Sequence, residues 1–134
     1  MRRRTISFLR PLLIAVALKT SFSWAHGMDK PGPHGGYIQM PGNFHTELLP
    51  REDGFTLFVL DASLRNASTA GATVTATVKR NSTSSEVSCN PQGSQFDCRL
   101  ATGFKLVEDD KVFITVNRPD GRGISIYKYP FKRP

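Results

Sequence analysis

Only two cysteines, one tryptophan and three histidines occur in this 134-residue chain, and no stretch repeats its apolar residues at a helical period. The longest uncharged apolar run, residues 11–18 (PLLIAVAL), is less than half of what a bilayer-spanning helix needs. Two cysteines are too few for a disulfide-dense scaffold. Their spacing, with eight residues between them, matches neither a zinc knuckle nor a C-x-x-C redox pair. G-x-S-x-G, H-E-x-x-H and phosphate-cradling glycine loops are also missing, so no familiar hydrolase or nucleotide-binding signature is present.

What is present begins with a secretory pattern. Arg2, Arg3, Arg4 and Arg10 form a basic n-region before the short apolar run, and Ser23-Trp24-Ala25 offers small residues at the two positions a signal peptidase inspects. Residues 1–25 are therefore expected to be a cleaved signal peptide, without a stable membrane anchor, and the protein is expected to be periplasmic or secreted. That segment holds five of the 18 basic residues and none of the 11 acidic ones. Its removal leaves 13 basic against 11 acidic residues, +2 instead of +7. The high overall charge thus belongs mostly to the signal, and a nucleic-acid partner is not expected.

Residues 26–134 suffice for one domain. Residues 73–80 (TVTATVKR) and 111–117 alternate apolar with polar side chains, the period of a strand with one buried face. Residues 55–64 are almost continuously apolar, as in a central strand covered on both sides or bent across a core. Shorter strands are expected at 37–40, 44–49 and 123–131, with two more flanking Cys89 and Cys98. Turn chemistry separates them, as at Pro41-Gly42-Asn43 and Pro119-Asp120-Gly121. The expected fold is all-β, an antiparallel immunoglobulin-like β-sandwich of about eight strands. In an exported protein Cys89 and Cys98 are expected to form a disulfide that clamps a hairpin.

The remaining chemistry lies near the expected cleavage site. His26, His34 and His45, with Met28 and Met40, all fall between positions 26 and 45. Imidazole and thioether are the neutral side chains that hold copper best, and an N-terminal His26 would add its α-amine. Residues 26–36 (HGMDKPGPHGG) are too rich in glycine and proline for regular structure and read as an arm preceding a domain at 37–134. In the strand around 44–49, alternation turns Phe44, Thr46 and Leu48 one way, and His45 and Glu47 the other. With the first set inward, His45 and Glu47 stand outside the core, where the arm carrying His34 can reach. His34 and His45 are the leading candidate ligands for Cu(I) or Cu(II), followed by His26, Met28 and Met40. Glu47 is a ligand, an acceptor orienting His45, or an ordinary surface carboxylate.

Three segments carry a resemblance: His34-Gly35-Gly36, Phe44-His45-Thr46-Glu47-Leu48 and Phe58-Val59-Leu60-Asp61. Together they are similar to the H-G-G … [FY]-H-x-E-[LV] … [VL]-Y-L-x-D pattern of small periplasmic β-sandwich proteins that accompany heavy-metal and copper efflux systems. The similarity covers about thirty residues. It implies a metal-handling role, with a periplasmic component of an efflux system as partner. The Ala25-His26 junction also resembles copper-resistance proteins of the CopC type, which implies an N-terminal histidine ligand at His26.

No catalytic constellation is legible, and the expectation is a protein that is not an enzyme. The alternative reading is an exported immunoglobulin-like protein-binding module of inhibitor or adhesion type. Its strand edges would pair with a partner, and Tyr127, Tyr129 and Phe131 would serve as aromatic anchors.

Overall fold

The computed structural model describes residues 30–132, so the expected signal peptide, His26 and Met28 lie outside the described residues. Within them the protein is all-β and contains no helix, and hence none long and apolar enough to cross a membrane. Its eight strands are β1 (Tyr37–Gln39), β2 (His45–Arg51), β3 (Gly54–Leu60), β4 (Thr73–Arg80), β5 (Thr83–Gln92), β6 (Gln95–Arg99), β7 (Lys111–Arg118) and β8 (Gly121–Lys128). All neighbours are antiparallel, in the spatial order β1-β2-β3-β6-β5-β4-β7-β8.

The two ends of this sheet approach one another, so it nearly closes on itself. The Gln39 side chain joins them: its Oε1 accepts from Ile126 N at 2.9 Å and its Nε2 donates to Ile126 O. A primary amide thereby supplies to β8 the donor and acceptor that a neighbouring strand would have supplied.

The alternating segments fill the interior as their period requires. On β4, Val74, Ala76 and Val78 are buried; on β7, Val112, Ile114 and Val116 have no exposure at all. They pack against Phe44, Leu48, Phe55, Leu57, Val59 and Phe96. All seven residues of β3 are buried, which accounts for the near-continuous apolar run at 55–60. That strand stops at Leu60 and not at position 64, because Asp61 starts a turn: Asp61 Oδ1 accepts from Ser63 N at 3.0 Å and Arg65 N at 2.8 Å.

Cys89 and Cys98 stand directly opposite one another in the β5–β6 register and are disulfide-bonded, clamping the expected hairpin. The strands of that hairpin continue past the cysteines almost to its tip, with β5 passing through Pro91 to Gln92 and β6 starting at Gln95. β4 pairs with β5 only as far as Val87, so beyond it β5 has β6 as its sole neighbour. A proline facing the unpaired side costs no ladder bond there.

The long 100–110 connection has no regular structure and is anchored at its end by the ion pair of Arg80 with the buried Asp110 carboxylate. Arg80 Nε donates to Asp110 Oδ1 at 2.8 Å and Arg80 Nη2 to Oδ2 at 2.7 Å, while Val107 N donates to Oδ2 at 2.9 Å. The Arg80 bonds hold the Asp110 carboxyl below its ordinary range.

Candidate functional site

Strand alternation places the site. Thr46 and Leu48 of β2 turn into the core with Val59 and Leu57 opposite them, so His45 and Glu47 occupy the outer face beside Leu60 and Phe58. Phe44, just before the strand, is fully buried, as the alternation requires. Glu47, however, is not exposed. It has no accessible surface, although it lies on the outer side of the sheet.

The cover over Glu47 is the arm. Gly35 N donates to Gly32 O at 2.8 Å and Gly32 N to Gly36 O at 2.9 Å, folding residues 32–36 into a tight loop. The loop lies against the carboxylate so closely that side chains at two of its positions would collide. A Cβ on Gly32 would overlap the Glu47 carboxylate, and one on Gly36 would sit 2.6 Å from the Leu48 carbonyl oxygen. These close approaches, which only glycine permits, account for Gly32 and Gly36, while Gly35 takes a positive φ of 83°.

Glu47 divides its two oxygens between two tasks. Oε1 accepts from two backbone amides, His34 N and Gly36 N, each at 2.9 Å. Oε2 accepts from His34 Nδ1 at 2.7 Å. The carboxylate therefore orients His34 and not, as the sequence left open, His45. The His34 ring also stacks on Phe58 of β3, with 3.7 Å between centroids and 1° between planes, while its side chain keeps 38% exposure. Carboxylate and aromatic face together hold the imidazole in one orientation.

His45 is fixed by a different acceptor. Its Nδ1 donates to the backbone carbonyl oxygen of Asp61 at 3.1 Å. Since a carbonyl can only accept, the proton belongs to Nδ1 of His45. The His34 ring makes its hydrogen bond through the same nitrogen, Nδ1, to Glu47 Oε2. Both rings thus carry a hydrogen bond at Nδ1 that leaves the Nε2 lone pair available, the arrangement usual for metal-ligating histidines.

His45 is the diagonal neighbour of Phe58 in the β2–β3 register, a relation that separates positions by about 7–8 Å. With His34 stacked on Phe58, the structure brings His34, His45 and Glu47 together on one patch of the outer face. Met40 is placed elsewhere. It is 48% exposed and lines a cleft of about 520 Å³ between β1 and β8, on the opposite edge of β1 from β2. His26 and Met28 precede the described residues.

The donor chemistry fits a borderline metal ion in part. Two imidazole nitrogens are available, backed by a buried carboxylate, but among the described residues no group of three or more His, Cys, Asp or Glu is placed to hold an ion. The remaining coordination positions would have to be filled by other groups. Two participants were not given a role by sequence reasoning: the Phe58 ring and the Asp61 carbonyl. The Phe58-Val59-Leu60-Asp61 segment of the pattern contained both. Comparison of the chain with protein families, with curated proteins and with solved structures gives no match.

Proposed function

We propose that the protein is an exported metal-handling protein of the periplasm that binds copper or a related heavy-metal ion and passes it to an efflux system. The observation that supports this most is the matched state of His34 and His45. Each has Nδ1 tied to an acceptor, and each keeps Nε2 as a donor on the same patch of the outer face. Stacking on Phe58 and burial of Glu47 restrict His34 further, so little order would remain to be imposed on binding.

In this reading His34 and His45 are the central ligands, and His26 with its α-amine or Met28 completes the set, while Met40, which the sequence also offered, lies in the β1–β8 cleft away from them. Glu47 orients His34 and balances part of the ion's charge from behind it. A site with few fixed ligands suits a carrier that must release its ion, and binding without catalysis is the role assigned. The nearly closed sheet is read as a variant of the immunoglobulin-like sandwich, with residues 1–25 removed on export.

The test is a titration of the mature protein with Cu(I), Cu(II) and Zn(II), beside the His34→Ala/His45→Ala double variant. The wild type should be stabilised by about 2.7 kcal/mol at a free metal concentration a hundredfold above Kd. The double variant should lose that gain. Equal stabilisation of both proteins would locate the metal elsewhere and end this reading.

One observation favours the second reading, an exported protein-binding module. The cleft between β1 and β8 exposes Met40, Ile124 and Ile126 beside the half-buried Tyr129 and Phe131. Recovery of a protein partner whose binding is lost on Ile126→Lys, together with an absence of metal binding, would favour that reading instead.

A further inference from the structure

We infer that Glu47 is a positioning residue that makes His34 a ligand by fixing which ring nitrogen carries the proton. The inference deepens the metal-binding reading above and rests on it.

The two carboxylate oxygens are separable in function. Oε1 meets two backbone N–H groups, at His34 and Gly36, and docks the arm. Oε2 meets only the His34 ring, at Nδ1. A carboxylate offers acceptors alone, so the neutral imidazole keeps its proton on Nδ1 and presents an unprotonated Nε2. On the metal side such a carboxylate also raises the basicity of the ligating nitrogen.

Glu47→Gln distinguishes the two tasks. The amide has one acceptor oxygen and one donor nitrogen, and its orientation is decided by its neighbours. Placing the NH2 group toward the arm would set it against two backbone donors. Placing it toward His34 sets it against one, and that conflict vanishes when the imidazole moves its proton to Nε2 and accepts at Nδ1. The amide oxygen therefore stays on His34 N and Gly36 N, the arm remains docked, and His34 inverts its tautomer. The inverted ring offers no lone pair at Nε2. His45 does not change, because its acceptor is the Asp61 carbonyl.

The experiment reads imidazole 15N shifts in the metal-free protein at a pH where the rings are neutral, then Cu(II) affinity. In the wild type both histidines should be protonated at Nδ1. In Glu47→Gln, His34 should be protonated at Nε2, His45 should be unchanged, and the amides of residues 34 and 36 should stay protected from exchange. Cu(II) affinity should fall about tenfold to a hundredfold, the range for loss of such an orienting partner. A wild-type His34 protonated at Nε2 overturns the inference whatever the variant does. If His34→Ala abolishes Cu(II) binding while Glu47→Gln keeps both tautomer and affinity, the positioning role fails and the metal site stands. If His34→Ala leaves Cu(II) binding intact, the metal-binding reading fails and this inference fails with it.

Discussion

Asp61 acts on the site through its backbone, while its carboxylate acts on the turn that places that backbone. Oδ1 accepts from Ser63 N, Ser63 Oγ and Arg65 N, and Oδ2 from Asn66 Nδ2 at 2.8 Å. These bonds hold a turn in which Leu64 and Asn66 both take positive φ, 61° and 55°. They also lower the Asp61 pKa to about 2 from its ordinary 3.8, with the Arg65 amide the largest cause and the Ser63 hydroxyl next. A carboxyl depressed in the folded state stabilises the turn at pH above the unfolded value and stops doing so as pH falls through the folded one. The turn should therefore loosen between about pH 4 and pH 2, seen as faster exchange of the Ser63 and Arg65 amides before the β4 and β7 amides respond. At neutral pH, Asp61→Ala should weaken metal binding through a disordered acceptor for His45 Nδ1. Its metal-free unfolding midpoint should move little, since the turn is exposed. Unchanged metal affinity in Asp61→Ala would separate the turn from the site.

At the level of elements, the strands were legible and the arm was not, for one physical reason. The faces of β4 and β7 follow from alternation of Val with Thr, a local property that survives in any register. The same alternation correctly put Phe44, Thr46 and Leu48 inward and His45 and Glu47 outward. Burial of Glu47 did not follow from it, because the cover comes from the loop at 32–36, whose His34 and Gly36 amides bond it from 13 and 11 positions away along the chain. Proline and glycine there signalled irregular backbone but not its docking partner. The surroundings of Met40 were hidden for a similar reason: this residue, just past the three-residue β1, has its neighbours supplied by β8, far off in sequence. Docking of the arm can be tested where space is tightest. In Gly36→Ala the new Cβ meets the Leu48 carbonyl oxygen at 2.6 Å and Glu47 Cγ at 2.9 Å, and backbone in a paired strand cannot withdraw. Stability should fall by about 1–3 kcal/mol, the usual cost of overpacking. The His34 amide should lose protection and metal affinity should drop. A variant that keeps full affinity would show that His34 binds without the docked arm.

For the molecule as a whole, the unusual feature is how an eight-stranded sheet comes close to closing without an eighth pairing, between β1 and β8. On the inner side of the β1–β8 seam, the Tyr127 hydroxyl lies 2.8 Å from Thr46 Oγ1 and within reach of the Thr46 and Tyr37 carbonyl oxygens, and burial raises its pKa. Ser125 Oγ lies 2.6 Å from the same Thr46 hydroxyl. These buried bonds tie β8 to β2 across the interior. At the edge itself the Gln39 amide stands in for a strand at Ile126. Beside it, Ile124 and Ile126 are 51% and 45% exposed, so an uncovered β8 would present an apolar edge of the kind that pairs with other chains. Gln39→Ala removes the stand-in and leaves the inner hydroxyl network in place. The fold should persist with a loss of about 1 kcal/mol, the net worth of an ordinary hydrogen bond. Exchange at the Ile126 amide should accelerate well beyond that of its β7-facing neighbours, and the protein should begin to associate as its concentration rises. Metal affinity should not change, because the ligands proposed, His34 and His45, lie on the outer face of β2 and β3. An Ile126 amide that stays as protected in Gln39→Ala as in the wild type would mean that the seam is closed by the hydroxyl network alone, with Gln39 a passenger at the edge.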